Sequence, residues 1–329
     1  KVRGIAGAAA RSGRFSWAAL MAARSDCTQT TKPIQKQHTG TSRLLGACSC
    51  GKSTEATCAD QANCIWDASL DAHLAAALKP IGAPGGVGAV LQAGKPLRVG
   101  AYGVRKQGET PPMHPLDLVH IGSNSKAMTA VLAARLVQQG CLQWESTVGD
   151  VLVTIKDAIH PQFRPATLAQ LLQHTAGVPR NAANWLAYRN KPMRARRLAI
   201  AQDGLRSAPL SPPGAQHRYS NLSVLVAGAM AEAAAGADWE TLMRREVFEP
   251  LGMKSAGFGV PGAKGGLEQP WGHVEGWLWG LRPVQTDNDP ALGPAGTVHL
   301  TLSDWSRFLS VFFGPDKIGK TSAGGEGGG

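Results

Sequence analysis

His120-Ile121-Gly122-Ser123-Asn124-Ser125-Lys126-Ala127-Met128-Thr129-Ala130 decides how the rest of the chain is read. It sets a hydroxyl, Ser123, and an amine, Lys126, three residues apart at the start of a strongly apolar segment. Positions i and i+3 of an α-helix share a face, so the amine can reach the hydroxyl. A serine needs a base to become a nucleophile, and a lysine shielded from water loses enough basicity to serve as one. The four-letter pattern alone is unspecific, since Ser49-Cys50-Gly51-Lys52 matches it too.

Context separates the two. After Ser123 the chain continues through Ala127, Met128, Ala130, Val131, Leu132, Ala133, Ala134, Leu136 and Val137 to Gly140. That run predicts a buried central helix with Ser123 at its N-terminus, where free N–H groups and the positive dipole end favour developing negative charge. Ser49 is followed by Thr54, Cys58 and Asn63 among small polar residues, with no helix to hold Lys52. The plainer reading of Ser123 is a helix cap, the commonest work of a serine there.

A second cluster follows Pro212-Pro213-Gly214: Tyr219-Ser220-Asn221, then an apolar helix through Leu225, Val226, Ala229 and Met230. A phenol and an amide two residues apart on a loop can project into one cleft. Tyr219 would relay a proton and Asn221 would hold a substrate carbonyl. The plainer reading is a buried, hydrogen-bonded tyrosine beside an asparagine N-cap.

With these motifs the chain resembles the serine β-lactamase-related hydrolases: class C-type β-lactamases, DD-peptidases and esterases on the same fold. The resemblance covers about residues 67–314. It also rests on Leu171-Leu172-Gln173-His174-Thr175-Ala176-Gly177-Val178-Pro179, Phe248-Glu249-Pro250-Leu251-Gly252-Met253 and Gly293-Pro294-Ala295-Gly296-Thr297, in the family's order. It implies an α/β (α+β) fold of the β-lactamase/transpeptidase type: an antiparallel sheet flanked by helices, plus a helical lobe, with the cleft between them. It implies that Ser123 is acylated, that Lys126 and Tyr219 handle its proton, and that Asn221 contacts the substrate amide. Which of Lys126 and Tyr219 is the base stays open. His174 is expected to be structural and His217 a loop residue. No cofactor or metal is expected, and the partner would be a small ester, amide or peptide substrate. A periplasmic or secreted location is implied by the resemblance alone.

The family carries a third element, Lys-Thr-Gly or His-x-Gly, on a strand beyond the helix expected over residues 303–313. Lys320-Thr321-Ser322-Ala323-Gly324 is only superficially similar, with its glycine two positions late. The expectation is a C-terminally incomplete member. One oxyanion donor comes from that strand, and losing such a donor costs about 10²–10³ in rate. The alternative function is therefore an inactive relative or fragment that binds peptidoglycan-like or acyl ligands.

Residues 1–66 do not resemble the family. They carry nine Lys/Arg against three Asp/Glu, a net +6 of the chain's +11, and five of its six cysteines: Cys27, Cys48, Cys50, Cys58 and Cys64. Their spacing fits no usual zinc pattern. Leu45-Gly46-Ala47-Cys48 resembles a lipoprotein cleavage box, but Gln35-Lys36-Gln37-His38 breaks the apolar stretch an export signal needs, and the apolar run Phe15–Ala23 is short. A disordered or non-native leader over 1–66 and a Gly-rich tail over 315–329 complete the organisation around the 67–314 domain.

Across its 329 residues, 43% are hydrophobic, enough for a real core, and no run reaches the 18 apolar residues of a membrane span. A helix is expected over 67–78, with Leu70, Leu74 and Leu78 in one row. A strand, a turn and a strand follow over 88–100, then a short helix from Leu168. Residues 185–245 are expected to be mostly helical, interrupted by Ser211-Pro212-Pro213-Gly214. The basic run Lys191–Arg197 reads as a solvated helix face rather than a nucleic-acid surface, since no aromatics interleave it. Trp271, Trp277 and Trp279, spaced by glycines, lean towards cleft walls. Gly314-Pro315-Asp316-Lys317-Ile318-Gly319-Lys320-Thr321 matches a P-loop by letter, but a helix precedes it and none follows. Gly257-Phe258-Gly259-Val260-Pro261-Gly262 matches the dinucleotide pattern equally emptily.

Overall fold

A computed structural model of the chain describes residues 64–92, 95–276 and 280–313. The cysteines at 27, 48, 50 and 58, Trp277, Trp279, the P-loop-like run and the Lys320-Thr321 segment lie outside the described residues. The chain opens with β1 (Cys64–Trp66), α1 (Ala68–Leu78), β2 (Gly85–Val90) and β3 (Leu97–Gly103). Then come β4 (Val119–His120), a 3₁₀ turn (Gly122–Asn124), α2 (Ser125–Gln138), α3 (Val148–Val151), α4 (Leu168–Leu172), α5 (Met193–Gly204), α6 (Asn221–Ala235) and α7 (Trp239–Met243). The described part closes with β5 (Gly257–Phe258), β6 (Gly272–Gly276), β7 (Gly280–Val284), α8 (Gly293–Gly296), β8 (Val298–Leu300) and α9 (Leu302–Phe313).

β3 sits between β1, with which it runs parallel, and β2, with which it runs antiparallel in the register Gly85↔Gly103. The expected leader thus overlaps the fold by three residues, because Cys64–Trp66 pair with Leu97–Val99. α1 begins where Asp67 accepts from the Ser69 amide as N-cap. Its leucine row lies on the hairpin, and glycines make room for it. A Cβ on Gly86 would sit 2.6 Å from Leu78 and one on Gly88 would sit 2.9 Å from Leu74.

The larger core belongs to the helical lobe. α2 is built of good helix formers and buries Met128, Val131, Leu132 and Leu136 against α6, whose residues from Leu222 to Glu232 are all buried. Each such large apolar side chain contributes about 1.5–3 kcal/mol. Ser220 caps α6 at its start, and Gly236, at φ +70°, ends it in the left-handed conformation.

The interruption expected at Ser211–Gly214 lies between α5 and α6, but its expected length falls short, since the break runs over residues 205–220. Pro209, Pro212 and Pro213 supply no N–H there, and Gly214 turns at φ +90°. The solvated-face reading of Lys191–Arg197 also fails at two positions. Arg196 is buried on Asp289 at 2.6 Å, and Arg197 is buried between Glu232, at 2.5 Å, and Glu240. These cations clamp α5 to the segment that precedes α8. The β6–β7 hairpin, paired Gly272↔Val284, was not evident from a stretch broken by glycines and tryptophans.

A second sheet has the order β4-β8-β5, all antiparallel. It lies directly before the 3₁₀ turn that carries Ser123. Among the described residues no helix is long and apolar enough to cross a membrane, and no group of three His, Cys, Asp or Glu is arranged to hold a metal ion.

Candidate active site

Ser123 lies in the 3₁₀ turn rather than inside α2, and its side chain caps no helix. Gly122 permits that turn, at φ +51°, where a side chain would be strained. The turn is fastened by Ser125, whose hydroxyl donates to the Gly122 carbonyl at 2.7 Å and accepts from the Val298 amide at 3.2 Å. Ser123 Oγ is thereby left at the surface.

Two groups converge on that hydroxyl. Lys126 Nζ donates to Ser123 Oγ at 3.0 Å, as the i, i+3 spacing predicts. Tyr219 Oη lies 2.7 Å from Ser123 Oγ. Lys126 also donates to the Ala295 carbonyl at 2.7 Å, which aims the amine, and it lies 4.9 Å from the centre of the Tyr219 ring. Beside it, Thr129 donates to the Pro294 carbonyl at 2.7 Å, so two bonds join α2 to α8.

Burial pushes the Lys126 amine below the ordinary lysine value; contact with Tyr219 opposes this and the Arg180 charge adds to it. Burial alone would raise the Tyr219 phenol. Its bonds to Lys126 and Ser123, with the charges of Lys126 and Arg180, more than offset that and hold it below its ordinary value. Both groups thus stand below their ordinary values, which makes it easier for either to give up its proton and accept one from the serine. Among the described residues nothing accepts from the Ser123 backbone N–H, which leaves it a donor for a negatively charged oxygen.

Asn221 is the first residue of α6, and the cap is Ser220, so the N-cap reading of Asn221 does not hold. Its side-chain amide donates to Asn181 Oδ1 at 2.8 Å. His174 stands under the tyrosine loop with φ +60°. Its ring centre is 4.9 Å from that of Tyr219, and its Nδ1 accepts from the Ser220 amide at 3.3 Å. Burial, Lys126 and His217 all keep its imidazole below the ordinary value, so it packs as a neutral ring. His217 is exposed and meets His174 edge-on.

Sequence reasoning missed three partners. The Ala295 carbonyl aims Lys126, Arg180 lies with its guanidinium carbon 5.6 Å from the Tyr219 ring centre, and Asn181 holds Asn221. Arg180 and Asn181 directly follow the Leu171–Pro179 landmark, which is the signal that pointed near them. Trp271 lines a cavity of about 560 Å³ with Arg105, His120, His273 and Asp287. Ser123, Lys126 and Tyr219 are not among its walls.

The family model described as Beta-lactamase matches residues 70–326. A beta-lactamase of Pseudomonas fluorescens is 26% identical over 237 residues, covering 70% of this chain and 60% of that protein. The D-alanyl-D-alanine-carboxypeptidase/endopeptidase AmpH of Escherichia coli K12 is 30% identical over 162 residues, covering 46% of this chain and 40% of that protein. Among solved structures, the D-alanine carboxypeptidase AmpC from Burkholderia cenocepacia aligns at TM-score 0.59 and 26% identity, over 73% of this chain and 62% of that one. The chain belongs to the beta-lactamase family, and its fold is that of the β-lactamases and penicillin-binding proteins. It spans about 35–60% of the length of the curated relatives it matches.

Proposed function

We propose that the chain is a serine hydrolase of this family that forms an acyl-enzyme through Ser123 on ester or amide carbonyls. One observation carries the reading: Ser123 Oγ is held between Tyr219 Oη at 2.7 Å and Lys126 Nζ at 3.0 Å. The proton of the attacking hydroxyl passes to this pair as the Oγ–carbon bond forms. The same proton then goes to the departing alcohol or amine as its bond to the carbonyl carbon breaks. Water, deprotonated by the same pair, hydrolyses the resulting ester. The free Ser123 amide supplies one donor to the tetrahedral oxyanion. Asn221 contacts the substrate amide, with Asn181 fixing its orientation.

The names of the relatives suit this reading at the level of class. One is a beta-lactamase, one a carboxypeptidase/endopeptidase and one an unguisins hydrolase. The substrate is thus expected to be a small ester, amide or peptide.

The test is hydrolysis of three chromogenic substrates, a short-chain nitrophenyl ester, a D-alanine nitroanilide and a chromogenic cephalosporin, by the folded chain and by Ser123→Ala. Turnover of any one that Ser123→Ala abolishes supports the hydrolase. Binding of the same compounds without turnover in the folded chain would favour the inactive, ligand-binding relative.

A further inference from the structure

A histidine and a carboxylate lie next to the nucleophile's turn and touch neither Ser123 nor Lys126. His120 ends β4, and Asp287 lies between β7 and α8. His120 Nδ1 accepts from the Gly122 amide at 3.1 Å, and His120 Nε2 lies 2.7 Å from Asp287 Oδ1. These two contacts define the proton: Nδ1 must offer its lone pair, so Nε2 carries the hydrogen and gives it to the carboxylate. Both ring nitrogens are then occupied, and none is left to take a proton from a serine. The pair cannot be a base for the reaction. What it touches is the backbone of the residue immediately before the nucleophile.

Gly122 is the hinge on which the Ser123 direction depends. Its carbonyl is fixed by Ser125 and its amide by His120, so the peptides on both sides of its left-handed turn are held. The ring is itself set by the sheet, where His120 is the cross-strand partner of His299 in β8 and Ile121 donates to the Val298 carbonyl at 3.0 Å. Asp287 is held in turn by its neighbours. Asn288 donates to the Gly296 carbonyl at 2.6 Å, and Asp289 pairs with the buried Arg196. The same segment ends in α8, whose Ala295 carbonyl aims Lys126. One stretch of chain, 287–296, therefore holds the histidine that anchors the nucleophile's turn at one end and aims the amine near the other.

We infer that His120 and Asp287 are positioning residues, a carboxylate–imidazole–amide chain that fixes the Gly122 turn and with it the direction of Ser123 Oγ. The inference rests on the reading of Ser123 as nucleophile for its consequence, but its structural part stands apart from that. Misplacing a reacting atom by about 1 Å costs roughly 10²-fold in rate.

The experiment compares His120→Asn with His120→Gln in the full chain. The asparagine oxygen takes the place of Nδ1 and can still accept from an amide two residues on. The glutamine reaches the Asp287 side but offers Gly122 nothing. Two quantities are read: the rate constant for fluorophosphonate labelling of Ser123, and hydrogen exchange of the Gly122 amide by NMR. His120→Asn, which keeps the acceptor for Gly122 but gives up Asp287, is expected to label about 3–10-fold more slowly than the native chain and His120→Gln about 10–100-fold more slowly, with Gly122 exchange accelerated more in the glutamine variant than in the asparagine variant. Equal losses in both variants, or unchanged Gly122 exchange in His120→Gln, would overturn the inference. If the native chain does not label at all, the hydrolase reading fails and the exchange comparison alone decides the positioning role. Should His120→Gln not fold, Asp287→Ala replaces it. It frees the ring, and faster Gly122 exchange supports the chain of contacts while native-like exchange overturns it.

Discussion

The Tyr219 phenol lies 2.7 Å from the Ser123 hydroxyl, although 96 residues separate them in the chain. α6 brings them together. Its N-terminus is pinned to the Arg180 carbonyl through the Asn221 amide at 2.8 Å, and its body packs on α2. Placing the tyrosine loop against the serine turn is thus a consequence of core packing.

If this contact is part of the chemistry, removing the phenol removes function while the fold remains. Tyr219→Phe is expected to lower the rate of Ser123 acylation about 10²–10⁴-fold. The loss of stability should be under about 1 kcal/mol, because the ring still packs on His174. Acylation kinetics beside a urea unfolding curve would check it, and a native-like rate would remove Tyr219 from the mechanism.

The charges around the pair fix the direction of its pH response. Lys126 and Tyr219 both stand below their ordinary values of 10.5 and 10.0. Acylation should therefore rise with pH along an alkaline limb whose midpoint lies below 10.0, the value of an ordinary tyrosine. Arg180 lowers both groups, so Arg180→Ala should move that midpoint upwards. A downward or absent shift would contradict the electrostatic assignment.

The same shifts bear on stability. In the window from their lowered values up to about 10, the folded protein holds fewer protons on Lys126 and Tyr219 than the unfolded chain does. Stability contributed by these sites must then rise with pH through that window. The urea midpoint of the native chain, compared with that of a Lys126→Met/Tyr219→Phe double variant at pH 8 and 9.5, should show this rise only in the native chain.

Much of this arrangement was legible in the sequence, for reasons that differ by residue. Ser123 and Lys126 could be paired because helical periodicity is local. The α1 leucine row was readable for the same reason. Tyr219 and Asn221 were found through motif order, since no local rule joins residues 96 apart. The Ala295 carbonyl was invisible, because a backbone acceptor is the same whatever the letter. Arg196 and Arg197 were misread as solvated because their carboxylate partners, Asp289, Glu232 and Glu240, come from other elements. The β6–β7 hairpin lacked the alternation that marks a strand.

The bonds between α2 and α8 offer a test of packing apart from chemistry. Thr129→Val keeps the shape but removes the donor to the buried Pro294 carbonyl. It is expected to cost about 1–3 kcal/mol, visible as a lower urea midpoint. Because Lys126 keeps its own bond to Ala295, labelling of Ser123 should fall far less than in Tyr219→Phe.

The central claim is that Ser123 is an activated nucleophile, and covalent labelling tests it most directly. The folded 329-residue chain would be treated with a fluorophosphonate probe and the adduct located by peptide mass spectrometry. The account predicts one adduct, on Ser123, absent in Ser123→Ala and strongly slowed in Lys126→Ala. A folded chain that takes no adduct there, or labels equally fast without Lys126, would contradict it.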